Sequence, residues 1–210
     1  MRKVPGRFIT LEGGEGAGKS TQLALLAAAL NRRGIEVVTT REPGGSPGAE
    51  DIRALLLTGE HERWTARAEM LLLAAARNDH LSKLILPALA RGAWVICDRF
   101  IDSTRAYQGS AGGLHDEEIM AVHRIACAGI MPDRTFYLKL PAHVALARAR
   151  ARDGNKNDRF GSRDTRYHDR LIDFFDQLLK TESVRVFGVD ACGESESITD
   201  RLMDALRDWL

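Results

Sequence analysis

Apolar positions along the chain fall into short runs separated by stretches of helical period. Phe8, Ile9 and Leu11 make a run of the length of a buried strand. Leu23, Leu26, Ala27 and Leu30 then recur at steps of three and four, and Gly34 supplies a stop. Ile35 to Thr39 is rich in β-branched residues and predicts a second strand. A helix follows through Ile52 to Leu57. Thr65 predicts the cap of a longer helix carrying Met70 to Ala76, which Pro87 should kink or restart. Trp94 to Cys97 reads as a strand ending at Asp98-Arg99, Asp116 to Ala128 as a helix, and Arg134 to Leu140 as a strand. Pro141 suits the first position of another helix. After a polar stretch, Val184 to Val189 predicts a last strand and Ser197 to Trp209 a last helix. Five strands alternating with helices predict an α/β fold, a parallel sheet covered on both faces, within one domain spanning residues 1–210. The surplus of helix between the second and third strands predicts a substrate lobe.

Composition narrows this picture without redirecting it. The chain has 210 residues and a net charge of +1, so no global field draws it to nucleic acid or a membrane. Its basic start, Arg2, Lys3 and Arg7, precedes an apolar run that meets Glu12 too soon for a signal peptide. No segment approaches the roughly 20 apolar residues of a membrane span. Cys97, Cys127 and Cys192 are far apart and odd in number, against a disulfide framework or a zinc site. A reduced, cytoplasmic protein is expected.

Chemistry enters at Gly13-Gly14-Glu15-Gly16-Ala17-Gly18-Lys19-Ser20, which fits G-x-x-x-x-G-K-[ST] between a strand and a helix. Glycines there let backbone N–H groups converge on phosphate oxygens, and the uncapped amphipathic helix that follows adds its own N–H groups and positive dipole end. Lys19 should reach the outer phosphates and Ser20 should hold Mg²⁺. Asp98, closing an apolar strand, is a second carboxylate for the metal. Arg99 beside it suits an anionic substrate.

A GTPase is one rival, because Asn155-Lys156-Asn157-Asp158 spells the guanine-reading N-K-x-D. In GTPases that motif closes an apolar strand. Here it lies inside Arg148–Arg170, a stretch with eight basic residues against four acidic ones. The four-residue step from Arg148 to Arg152 puts both on one helix face. Such a segment, taken as about 148–166, is expected to act as a lid that neutralises transition-state charge and excludes water. Five of the six histidines, His80, His115, His123, His143 and His168, read as surface or packing residues. A phosphate oxygen is already ionised as an acceptor, so no general base is required.

At this point the chain resembles the bacterial thymidylate kinases over roughly residues 7 to 209. The likeness rests on Ile9 to Thr21, on Thr40-Arg41-Glu42-Pro43-Gly44-Gly45, on Asp98-Arg99-Phe100, on Ala106-Tyr107-Gln108-Gly109 and on Asp158-Arg159-Phe160. The resemblance implies ATP-dependent phosphorylation of dTMP to dTDP with Mg²⁺, a homodimer, and a core of five parallel strands. It implies that Glu15 lies near the acceptor sugar and phosphate, and that Arg41, Glu42 and Pro43 flank the monophosphate. Arg77 would read the thymine edge and Arg99 would grip the acceptor phosphate. Thr104, Tyr107 and Gln108 would surround base and sugar, Arg148 and Arg152 would supply the lid's catalytic charge, and Asp190-Ala191 would flank adenine. Three positions depart from the pattern. Leu73 stands where a base-stacking Phe is common, Phe175 where a tyrosine is usual, and Gly161 where an acid is usual. Leu73 motivates an alternative, a kinase for another nucleotide or deoxynucleoside. A P-loop regulatory protein that binds nucleotide and hydrolyses it slowly is a third reading.

Overall fold

The computed structural model describes residues 6–59, 63–141, 144, 145, 148 and 165–210. Strand β1 (Phe8–Glu12) leads into helix α1 (Lys19–Asn31), then β2 (Val37–Arg41), α2 (Pro47–Leu57) and α3 (Ala66–His80). A π-helical turn, Leu81–Ile85, joins α3 to α4 (Leu86–Ala90). Then come β3 (Trp94–Asp98), α5 (Ile101–Thr104) with a π-helical continuation Arg105–Ser110, α6 (Asp116–Cys127) and β4 (Arg134–Lys139). The described chain ends in α7 (Thr165–Thr181), β5 (Val186–Asp190), α8 (Ser195–Asp204) and a 3₁₀ turn at Arg207–Trp209.

All five strands are parallel, in the order β2-β3-β1-β4-β5. Successive side chains of a strand face opposite sides, and the core divides accordingly. Ile9, Leu11, Ile96, Phe136 and Leu138 pack with Leu26 and Leu30 of α1 and Leu202 of α8. Phe8, Val95 and Cys97 pack on the other side with Met70, Ile85, Ile101 and Ile119. Under α7 a third cluster forms, where Phe175 stacks on Tyr137 with ring centroids 4.5 Å apart.

Several boundaries differ from the sequence reading. β2 starts two residues later, at Val37, and extends to Arg41, because it pairs with β3 from Val37↔Trp94 to Arg41↔Asp98. α2 begins at Pro47, whose fixed φ suits a first turn. Pro87 lies just past the π-helical turn, where the helix restarts. The last helix stops at Asp204 and tightens into the 3₁₀ turn. α5 and α7 were not foreseen. In α1 the buried positions include Lys19 and Gln22 beside Leu26 and Leu30, so its polarity does not follow its burial as an amphipathic helix would. The reason is a site at its N-terminus.

Candidate active site

The carboxyl ends of β1, β2 and β3 meet at one edge of the sheet, where Leu11 and Arg41 are register partners of Asp98. In open parallel sheets ligand crevices form at such ends. A cavity of about 620 Å³ opens there. The loop after β1 forms one wall. Gly13, Gly16 and Gly18 take φ of 143°, 75° and 86°, values L side chains rarely adopt. α1 starts at Lys19 with no side-chain cap and no acid in its first turn, so its first N–H groups remain available to an anion. Glu15 to Thr21 line the cavity, whereas Gly13 and Gly14 shape the loop behind it.

Lys19 is 8% exposed and donates to the carbonyls of Gly13 (3.0 Å) and Gly14 (2.8 Å). Burial, and next the positive charge of Arg99, lower its pKa to about 7, against the opposing pull of Asp98, Glu12 and Glu15. Ser20 Oγ donates to Asp98 Oδ2 at 3.0 Å, while Asp98 Oδ1 is buried with no hydrogen-bond partner among the described residues. A hydroxyl and a carboxylate with one buried oxygen to spare could hold a hard cation that takes its remaining ligands from phosphates and water. Among the described residues no group of three His, Cys, Asp or Glu side chains forms a fuller metal cage.

Beside Asp98, Arg99 turns back at φ 71° and its N–H donates to Leu11 O. Its guanidinium lies 4.9 Å over the Tyr107 ring and donates to Ser103 Oγ at 3.1 Å. Burial opposes the charge of Arg99, but Tyr107, Asp98 and Glu12 outweigh it and hold the group cationic. Beneath this turn Glu12, fully buried, accepts from Phe100 N (2.9 Å) and Ser103 Oγ (2.6 Å). Burial and the neighbouring Asp102 push its carboxyl up to about 7.

The far end of the cavity is built on α3. Arg77, 2% exposed, donates from Nε to Glu42 Oε2 at 2.7 Å and from Nη2 to Thr104 Oγ1 at 2.9 Å. His80 Nδ1 lies 3.2 Å from the other oxygen of Glu42, and His80 Nε2 lies 2.7 Å from Thr40 Oγ1. A carboxylate only accepts, so Nδ1 donates to Glu42, and Nε2 shares a hydrogen bond with the Thr40 hydroxyl. Thr40, His80 and Glu42 thus form a buried chain that orients Arg77. Leu73 and Gln108 line the same end.

Set against the sequence reading, the cavity brings together Glu15, Gly16, Ala17, Gly18, Lys19, Ser20, Thr21, Arg41, Glu42, Pro43, Leu73, Arg77, Asp98, Arg99, Thr104, Tyr107, Gln108 and Arg148. Asp190 and Ala191 do not line it, although Arg148 Nη1 donates to Ala191 O at 3.3 Å. Arg152, Asn155–Asp158 and Gly161 lie outside the described residues, with nearly all of the predicted lid. Phe175 belongs to the cluster under α7 and is not among the cavity's lining residues. Sequence reasoning missed Glu12, Arg53, Glu69 and Ser103, and read His80 as a surface or packing residue. For Glu69 a signal existed, since Glu69, Leu73 and Arg77 recur at four-residue steps on one helix face. The helices between β2 and β3 do supply a wall of the cavity, through Arg53, Leu56 and Leu57 of α2 and Glu69, Leu73 and Arg77 of α3.

A family model described as Thymidylate kinase matches residues 11–202. The chain belongs to the thymidylate kinase family. A thymidylate kinase of Rhizorhabdus wittichii is 54% identical over 99% of this chain and all of its own length. One from a Bradyrhizobium species is 50% identical over 98% of this chain and 91% of its own. The crystal structure of thymidylate kinase from Ehrlichia chaffeensis superposes with a TM-score of 0.79 at 31% identity, covering 96% of this chain and 100% of that one. The five-stranded parallel sheet and the P-loop are thus those of a P-loop kinase of this family.

Proposed function

We propose that the chain transfers the γ-phosphoryl group of ATP to the 5′-phosphate of dTMP, giving dTDP and ADP. The observation that carries this reading is the continuity of one cavity from the phosphate loop at α1, past Asp98 and Arg99, to Arg77 and Gln108. Donor and acceptor ends are joined with a cation-holding turn between them, the arrangement an in-line displacement needs.

A phosphate oxygen of dTMP attacks the γ-phosphorus as the bond to the β-γ bridging oxygen breaks. That oxygen is already ionised near neutral pH, so catalysis is positioning and charge stabilisation. Lys19 and the backbone N–H groups of residues 13–20 hold the triphosphate. Arg99 grips the acceptor phosphate, with Arg41, Glu42 and Pro43 beside it, and Glu15 lies near the acceptor sugar and phosphate. Leu73, Arg77, Thr104, Tyr107 and Gln108 hold base and sugar. Ser20 and Asp98 would hold Mg²⁺, which would supply positive charge to offset that on the transferring phosphate. Arg148 and Arg152 add lid charge, and Asp190-Ala191 flanks adenine. A homodimer in the cytoplasm completes the reading and rests on family membership.

A coupled assay of dTMP, dCMP, dGMP and dUMP with ATP tests the assignment. The expected result is turnover of dTMP well above the other three. Leu73, an aliphatic contact where an aromatic face would stack on the base, favours weaker base binding by about 1 kcal/mol. Equal turnover of all four would replace dTMP by a broader nucleotide acceptor. Lys19→Ala should remove nearly all rate in every case.

A further inference from the structure

Glu69 is a buried carboxylate with no part in the transfer as derived so far. It is 2% exposed, lines the acceptor end of the cavity one turn before Leu73, and accepts from Nε2 of Gln108 at 3.0 Å. Gln108 itself is 3% exposed, on the π-helical segment after α5. In this bond the amide turns its NH₂ end toward Glu69, whose Oε2 accepts it. The carbonyl oxygen is then the end of Gln108 left to face the cavity.

We propose that Glu69 is a positioning residue that sets base selectivity by locking the amide of Gln108 with its carbonyl toward position 3 of the pyrimidine. Thymine and uracil carry an N–H there, which a carbonyl oxygen accepts. Cytosine carries a lone pair there, which faces that oxygen without a proton between them. A site built around one hydrogen bond rejects the partner that cannot make it, because a buried polar group is left unpaired. An unlocked amide would turn its NH₂ end to cytosine and lose this discrimination. The inference rests on reading this end of the cavity as the base site.

Glu69→Gln tests it, because a glutamine at 69 can donate as well as accept and frees Gln108 to turn. Steady-state kinetics with dTMP, dCMP and dUMP should show the dTMP-over-dCMP ratio of kcat/KM falling by about tenfold or more, mainly through KM. The dTMP-over-dUMP ratio should hold within about twofold, since both bases carry the same N–H. A loosened pocket would move both ratios together. Either that result, or an unchanged dTMP-over-dCMP ratio, overturns the proposal. Gln108→Leu separates the two ideas. If it lowers the dTMP-over-dCMP ratio and Glu69→Gln does not, the lock alone fails. If neither lowers it, the base site is elsewhere and the proposal falls with it. Should Glu69→Gln not fold, the exchange Glu69→Gln with Gln108→Glu carries the test, because it keeps an acceptor-only group toward the base. A dTMP-over-dCMP ratio within about threefold of the unaltered chain supports the lock, and a larger loss overturns it.

Discussion

Replacing Lys19 by Met should stabilise the protein while abolishing its activity, and the gain should depend on pH. Lys19 is buried, and its pKa lies near 7 against an ordinary 10.5. Below pH 7 the folded chain carries a buried ammonium at full cost. Above pH 7 the folded state gives up the proton, while the unfolded chain keeps it until pH approaches 10.5, so the cost declines over that window. Proton linkage over this shift puts the penalty at about 5 kcal/mol at pH 6 and about 2 kcal/mol at pH 9. Methionine keeps most of the stem and removes the charge. It also removes the donor to Gly13 O and Gly14 O, at about 1–2 kcal/mol in total. The variant should therefore unfold at higher urea than the unaltered chain at pH 6, by about 3 kcal/mol, and nearly coincide with it at pH 9. Urea unfolding followed by tryptophan fluorescence measures this, with Trp94 in the core and Trp209 packed edge-on against it. A stability difference that does not change between pH 6 and 9 would refute the reasoning, for it would mean that Lys19 titrates as it does in water.

The same perturbed amine makes ATP binding a proton-uptake reaction. At pH 8 Lys19 is mostly neutral, and an adjacent triphosphate restores the charge, so calorimetry in buffers of different ionisation enthalpy should show proton uptake approaching about one per site, against zero if the reading is wrong. Glu42→Ala leaves Arg77 buried without its carboxylate and His80 Nδ1 without its acceptor, and should lose about 3–5 kcal/mol in urea unfolding; an unchanged midpoint would show that the chain from Thr40 to Arg77 orients nothing. Arg152→Ala should lower kcat by about 10³-fold if the side chain acts as an arginine finger in cis, and an unchanged kcat would mark it as a surface charge.

The sequence made some of this legible for definite reasons. A strand, a glycine-rich loop and a helix follow one another without interruption from Phe8 to Asn31, so the phosphate cradle needs no distant partner to be recognised. α5 escaped notice because it is a single turn whose buried residues, Ile101 apart, are polar. Asp102, fully buried, accepts from Arg185 Nη1 at 2.7 Å and from Arg105 Nη1 at 3.2 Å, and no apolar period betrays such a helix. α7 does carry a signal, Tyr167, Leu171, Phe175 and Leu178, but it emerges from an arginine-rich stretch that reads as one polar segment. Glu12 and His80 are ordinary residues locally. Their meaning lies in partners 88 and 38 positions away, at Phe100 and Glu42, which only the folded sheet brings into reach.

The central claim is that one cavity passes phosphate from ATP to a nucleotide acceptor. Following γ-labelled ATP with and without dTMP tests it most directly. Label should pass to dTDP when dTMP is present, with inorganic phosphate released slowly in either case. Release of phosphate at one rate whether or not dTMP is added, with no labelled dTDP, would contradict the account and leave a nucleotide-hydrolysing regulatory protein in its place.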